Sequence, residues 1–112
     1  MIMNIQIFGK SKCFDTKKAE RYFKERRIKF QRIDLYEVGI SRGEFAGVKA
    51  AVGLDAMIDT SAPGVEILTY LAYDAAREEK LLENPEFIKT PIVRNGKKAT
   101  VGYNPEIWKT WV

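Results

Sequence analysis

The chain has 112 residues, 46% hydrophobic and 30% charged; this is the size of one domain, excludes a disordered tail and leaves apolar material for a modest core. One cysteine and no histidine exclude an internal disulfide, Cys–His and Ser–His–Asp nucleophiles and histidine metal sites. Nineteen basic and fifteen acidic residues give a net charge of +4, but Lys17, Lys18, Arg21, Lys24, Arg26 and Arg27 read as the solvated face of a helix. No apolar run approaches the roughly 20 residues that span a bilayer. The first ten residues lack the basic region and cleavage site of a signal peptide, and a lone free thiol fits a reducing compartment. A cytoplasmic protein with no membrane contact and no bound cofactor is therefore expected. Direct nucleic-acid binding is not expected either, because no basic residues interleave with aromatics on a sheet face.

Residues 3–8 alternate with period two and end at Gly9, a strand with apolar weight on both faces and so a central one. From Asp15 the period changes: Ala19, Tyr22, Phe23 and Arg26 form one helical stripe running to about Arg27. Residues 30–35 alternate again, completing a βαβ unit with two parallel strands. Ser41 and Glu44 match a capping box, and Phe45, Val48, Ala51 and Val52 give a helix that stops at Gly53. Residues 55–64 read as a loop. A helix over about 65–75, with Leu68, Leu71, Ala72 and Ala75 inward, is followed by a turn or two reaching Leu82 before Asn84-Pro85. Ile92 and Val93 begin a strand, Asn95-Gly96 suits a type I′ hairpin turn, and residues 99–101 return. Asn104-Pro105-Glu106 reads as the capped start of a short helix whose Trp108, Trp111 and Val112 dock on the sheet. The order is βαβ, a helical insert over about 41–84, then ββα, a single α/β domain spanning 1–112 with a mixed four-stranded sheet.

Cys13 stands where the first strand gives way to the first helix. Unpaired N–H groups and the helix dipole stabilise an anion there, and a thiolate is one. Lys12 and Lys17 add positive potential, and the Thr16 hydroxyl lies one turn along, within reach of the sulfur. A free cysteine is also a common buried apolar residue; the strand–turn–helix setting between lysines favours a reactive or ligand-facing thiol. Thr90-Pro91 precedes the third strand, the ordinary place for a strand-entry proline. A cis bond there would aim the Thr90 backbone at Cys13.

The segment Lys12-Cys13-Phe14-Asp15-Thr16-Lys17-Lys18-Ala19, and above all residues 85–106 with Thr90-Pro91-Ile92-Val93-Arg94-Asn95-Gly96 at their centre, resemble the arsenate reductase/Spx (ArsC) family of thioredoxin-like proteins. The likeness covers nearly the whole chain. It implies a thioredoxin- or glutaredoxin-like sheet, a reactive cysteine at Cys13 and a cis proline at Pro91.

Two departures from the family pattern bear on function. Spx-type regulators carry a second cysteine three residues after the first, where Thr16 stands here, so Cys13 has no resolving partner in the chain and must pass through a mixed disulfide with an outside thiol. Arsenate reductases hold their oxyanion with arginines. Here Thr90 and Tyr103 occupy two of those positions and residues 58–63 contain no arginine, which argues against arsenate reduction. Thr90 before Pro91 resembles instead the Thr-Pro junction of thioredoxins and glutaredoxins, which implies a monothiol oxidoreductase acting on glutathione or a protein thiol. Lys12 or Lys17 would pair with the carboxylates of glutathione as co-substrate, and Thr16, Thr90, Pro91 and Tyr103 would shape the site. The alternative is a non-catalytic, Spx-like regulator that binds RNA polymerase.

Overall fold

A computed structural model describes residues 4–111. Four strands form one sheet in the order β2-β1-β3-β4: β1 (Ile5–Gly9), β2 (Phe30–Asp34), β3 (Ile92–Asn95) and β4 (Lys98–Val101). The central β1 runs parallel to β2, Ile5 opposite Phe30 and Gly9 opposite Asp34, and antiparallel to β3, with Ile7 opposite Val93. The mixed sheet with its helices is the thioredoxin-like α/β fold.

Alternation along the strands sends side chains to two cores. Ile5, Ile7 and Val93 meet Ala19, Tyr22 and Phe23 of helix α1 (Phe14–Glu25) and the C-terminal Trp108 and Trp111. Phe8, Ile33 and Ile92 face the other way, toward Phe45 and Val48 of helix α2 (Arg42–Val52), Met57, Leu68 and Leu81. In the first core Trp108 makes edge or tilted contacts with Tyr22 and Phe23, ring centroids 5.1 Å apart in both pairs. Its indole N–H donates to Thr100 Oγ1 at 2.7 Å, so the buried polar atom of the largest core residue has a partner.

The α2 start matches expectation: Ser41 Oγ accepts from the Glu44 N–H and the Glu44 carboxylate accepts from the Ser41 N–H. Elsewhere the structure corrects the reading. The expected helix over 65–75 is a 3-10 segment, Val65–Tyr70, which ends at the extended Leu71; a separate helix, α3, covers Asp74–Glu83. Of the residues expected inward, Leu68 is buried and Leu71 half-buried, but Ala72 and Ala75 are exposed, as is Ala51 of α2. Alanine has too little apolar area for its periodicity to fix a face.

The segment read as a plain loop holds a 3-10 turn, Asp55–Met57, with Met57 fully buried, and an isolated bridge from Ile58 to Ile88. The β3–β4 hairpin pairs Asn95 with Lys98, so its loop is Gly96-Lys97. Only Gly96 there has positive φ (+62°), the pattern of a type II′ turn rather than I′. The final helix α4 (Pro105–Trp108) has no side-chain cap; the Asn104 carbonyl accepts from Ile107 and Trp108 N–H groups instead. The expected strand start at Met3 and the docking of Val112 lie outside the described residues. Among the described residues no helix is long and apolar enough to cross a membrane.

Helix α1 approaches β1 closely at their junction. A Cβ on Gly9 would lie 2.3 Å from Thr16 Cγ2 and 2.8 Å from Thr16 Oγ1, so the helix reaches the strand only because residue 9 has no side chain. Gly9→Ala is expected to lower stability by about 1–3 kcal/mol, the usual cost of overpacking a close contact, in urea unfolding. An unchanged midpoint would show that helix and strand have slack at this point.

Candidate functional site

Cys13 is the residue before α1, with extended backbone (φ −87°, ψ 117°). Its N–H donates to the Lys10 carbonyl at 3.0 Å, and its carbonyl accepts from Lys17 N–H at 3.3 Å, the first bond of the helix. The strand end, a tight turn and the helix start therefore fix the sulfur between them. Opposite, the Thr90-Pro91 bond is cis, and the Pro91 carbonyl accepts from Gly102 N–H at 2.8 Å, holding the segment to the end of β4. The half-buried thiol donates to the Thr90 carbonyl at 3.6 Å.

Opposed influences set the ionisation of Cys13. Burial, the largest, pushes its pKa up; the hydroxyls of Thr16 and Thr90 and the N–H groups of Thr16 and Asp15 pull it down, and the net result lies below the ordinary 9.0. The thiol's own bond to the Thr90 carbonyl favours the protonated form, but at 3.6 Å it is a long one. Thr16 Oγ1 is buried and has no hydrogen-bond partner among the described residues. Its influence on the sulfur is therefore not a well-formed bond to the thiol. It is a donor in place for the thiolate, and ionisation would satisfy a buried hydroxyl at the same moment.

Cys13 opens onto a cavity of about 510 Å³ lined by Lys10, Ser11, Lys12, Tyr36, Asp59 and Thr90. Of the residues singled out from sequence, Cys13, Lys12 and Thr90 line this cavity, Thr16 lies beneath the sulfur and Pro91 is buried behind Thr90. Lys17 lines the adjoining cleft with Gly9, Lys10 and Thr16, its ammonium 5.9 Å from the exposed Phe14 ring. Tyr103 is not brought to the cavity. It packs edge-on against Trp108 at 5.6 Å and borders a separate groove with Lys18, Arg21 and Arg26, so the aromatic wall at the sulfur is Tyr36.

Four cavity residues, Lys10, Ser11, Tyr36 and Asp59, lie outside the set read from sequence. Lys10 directly follows Gly9 and donates to the Glu86 carbonyl at 3.1 Å. Burial draws its pKa below 10.5, against the opposing pull of Asp59, Cys13 and Glu86. Asp59 arrives from the insert, tied down by its N–H to the Phe87 carbonyl at 2.8 Å while Lys89 N–H bonds the Met57 carbonyl at 2.8 Å. Burial raises the Asp59 carboxyl, but the Ser61 hydroxyl (2.6 Å) and N–H (3.0 Å), with Lys10 and Lys89, outweigh it and leave the pKa lowered. Tyr36 is set by a turn in which Asp34 Oδ1 accepts from its N–H at 2.7 Å, and burial, with Glu86, Asp34 and Asp59, raises its pKa and keeps the phenol neutral. Lys10 could have been found by its place between Gly9 and Cys13; Asp59 carries no local signal.

Two outcomes follow from the ionisation balance. Thr16→Val keeps the packing against Gly9 and removes the waiting donor, so iodoacetamide should label Cys13 several-fold more slowly at neutral pH; equal rates would remove Thr16 from the balance. Because the folded pKa is depressed, ionisation of Cys13 stabilises the fold at high pH, and this increment is lost as pH falls through the folded value. The stability advantage of the wild type over Cys13→Ser should therefore widen as pH rises toward 9.0, and a gap that narrows over that range would reverse the sign.

Comparison with known proteins places this geometry in context. A model described as the ArsC family matches residues 8–111. The chain is 28% identical, over 93% of its length and 80% of the relative's, to a global transcriptional regulator, Spx 2, of Oceanobacillus iheyensis. Among solved structures it is similar to an arsenate reductase from Vibrio cholerae (TM-score 0.86, 22% identity, all of both chains). It is also similar to a protein called YFFB (TM-score 0.84, 22% identity, 96% of this chain and 97% of the other).

Proposed function

The chain belongs to the ArsC family, and on that premise we propose that it is a monothiol thiol–disulfide oxidoreductase whose Cys13 forms a mixed disulfide with glutathione or a protein thiol. The observation that carries this reading is the half-buried sulfur with a lowered pKa, set beside the Thr90 backbone at the edge of an open cavity. In the first step the Cys13 thiolate attacks one sulfur of glutathione disulfide. A bond forms between Sγ and that sulfur, the old disulfide bond breaks, and a glutathione thiolate leaves. In the second step an outside thiolate attacks the glutathione sulfur and Cys13 departs as a thiolate. Because a good leaving group is a stabilised anion, the donors that favour attack also favour release. The cavity's charges suit the co-substrate: Lys10 and Lys12 would face carboxylates, with Lys17 at the adjoining cleft, and Asp59 would face an amino group.

Arsenate reduction is the less favoured chemistry. Among the described residues the cavity is lined by no arginine and presents Asp59 instead. Each charge-assisted bond to an oxyanion is worth roughly 1.5–3 kcal/mol, and a carboxylate at that wall opposes rather than supplies one.

A second reading, a regulator acting by binding RNA polymerase, is favoured by one observation, the likeness to Spx 2. Thr16 in place of a second cysteine deprives that reading of an internal disulfide switch. The two are separated by mixing reduced protein with glutathione disulfide and following the intact mass. The oxidoreductase gains one glutathionyl group, absent in Cys13→Ser, and loses it again on addition of reduced glutathione. A mass that does not change, together with retention of RNA polymerase by the immobilised protein, would establish the regulator instead.

A further inference from the structure

The outer edge of β2 has no strand beside it among the described residues, and the surface leading from it to Cys13 is continuous. The Cys13 cavity shares Lys10 and Ser11 with a neighbouring cleft of about 200 Å³. That cleft in turn shares Lys17, Glu20 and Arg32 with a groove of about 810 Å³ between α1 and β2. The charge of this strip is uneven. The cavity and cleft bring Lys10, Lys12, Lys17 and Arg32, and the outer groove adds Arg21, Lys24, Arg27 and Lys29. The acids along it are four, Asp59, Asp34, Glu20 and Glu25. Of these, Glu20 is held by Arg32, with Nη2 donating to Oε1 at 3.0 Å. Eight basic against four acidic side chains account for the whole formal charge of +4, so the rest of the chain sums to zero.

Resting on the thiol-exchange reading, we propose that the strip is a docking surface for an acidic, extended segment of a partner protein whose thiol or disulfide is thereby delivered to Cys13. Charge complementarity selects the sign of the partner. The bare edge of β2 offers main-chain donors and acceptors to an extended polypeptide, which a nucleic acid cannot match. Ile28 and Phe30 in the groove give apolar contact between the charges. A second copy of this chain is a poor occupant, because like-charged edges would meet.

The test uses activated disulfides of three synthetic peptides about ten residues long, each with one cysteine, followed by glutamate-rich, lysine-rich or neutral sequence. Release of the leaving thiol reports attack by Cys13. The acidic peptide should react about tenfold faster than the neutral one at low salt, the basic one more slowly, and the difference should shrink as salt screens the strip. In the double variant Lys24→Glu, Lys29→Glu, both far along the strip and exposed, the acidic-to-neutral rate ratio should fall toward one. Equal rates for all three peptides, or a ratio that the variant leaves unchanged, would overturn the proposal.

A cysteine-free version of the acidic peptide, followed by fluorescence anisotropy, separates docking from chemistry. Salt-sensitive binding without disulfide exchange would sustain the surface and reject the redox reading. Exchange without preference for the acidic peptide would do the reverse. A single-stranded oligonucleotide that binds more tightly than the peptide and displaces it would overturn the choice of partner.

Discussion

The close approach of α1 to β1 governs the arrangement of this molecule. Gly9 leaves room for Thr16 to lie against the strand, and that contact fixes both the start of the helix and the residue before it. Cys13 consequently projects neither into the core nor freely into water; it is held half-exposed, facing the Thr90 carbonyl. Had residue 9 carried a side chain, helix and sulfur would be displaced together, and the Thr16 hydroxyl would no longer lie beneath the thiol.

The chemistry follows from a contest at that one atom. Burial alone would make Cys13 a poor nucleophile, since a low-dielectric setting penalises the charged form. Donors converging from the first turn of α1 and from Thr90 reverse the outcome. The Thr16 hydroxyl, buried and without a partner among the described residues, is a donor that the thiolate can use, and it lowers the Cys13 pKa. Around this centre the cavity is mixed in sign, with Lys10 and Lys12 on one side and Asp59 on another. Such a lining suits a zwitterionic or peptide-like thiol better than a compact oxyanion, which asks for uniform positive potential. On the proposed thiol-exchange function, a lone cysteine makes the partner, rather than the chain itself, the source of the second sulfur.

Much of the framework was legible because its signals are local. The Ser41–Glu44 box, the Ala19-Tyr22-Phe23 stripe and the alternation of Ile5 and Ile7 with Asn4 and Gln6 each follow from a repeat that a few residues can carry. Cys13, Thr16 and Lys12 were readable for the same reason, lying within one turn of a recognisable strand–helix junction. The insert was harder. Its 3-10 segment at Val65–Tyr70 and the break at Leu71 depend on what Leu68 and Met57 pack against, and alanines at 51, 72 and 75 gave periodicity without enough apolar area to bind a face. Asp59 reaches the site through the Ile58–Ile88 bridge, a pairing between distant segments with no short-range mark. Tyr103 shows the converse: its place at a family arginine position implies a residue shaping the site, but it packs against Trp108 and borders another groove.

The claim on which the account turns is that the folded protein prefers Cys13 as a thiolate at lower pH than a free thiol would allow. The most direct measurement is a pH titration of the Cys13 Cβ carbon shift by NMR on selectively labelled, reduced protein. The account predicts a single ionisation with its midpoint below 9.0. A midpoint at or above that value would mean that burial wins at the sulfur, and the site would lose its nucleophile.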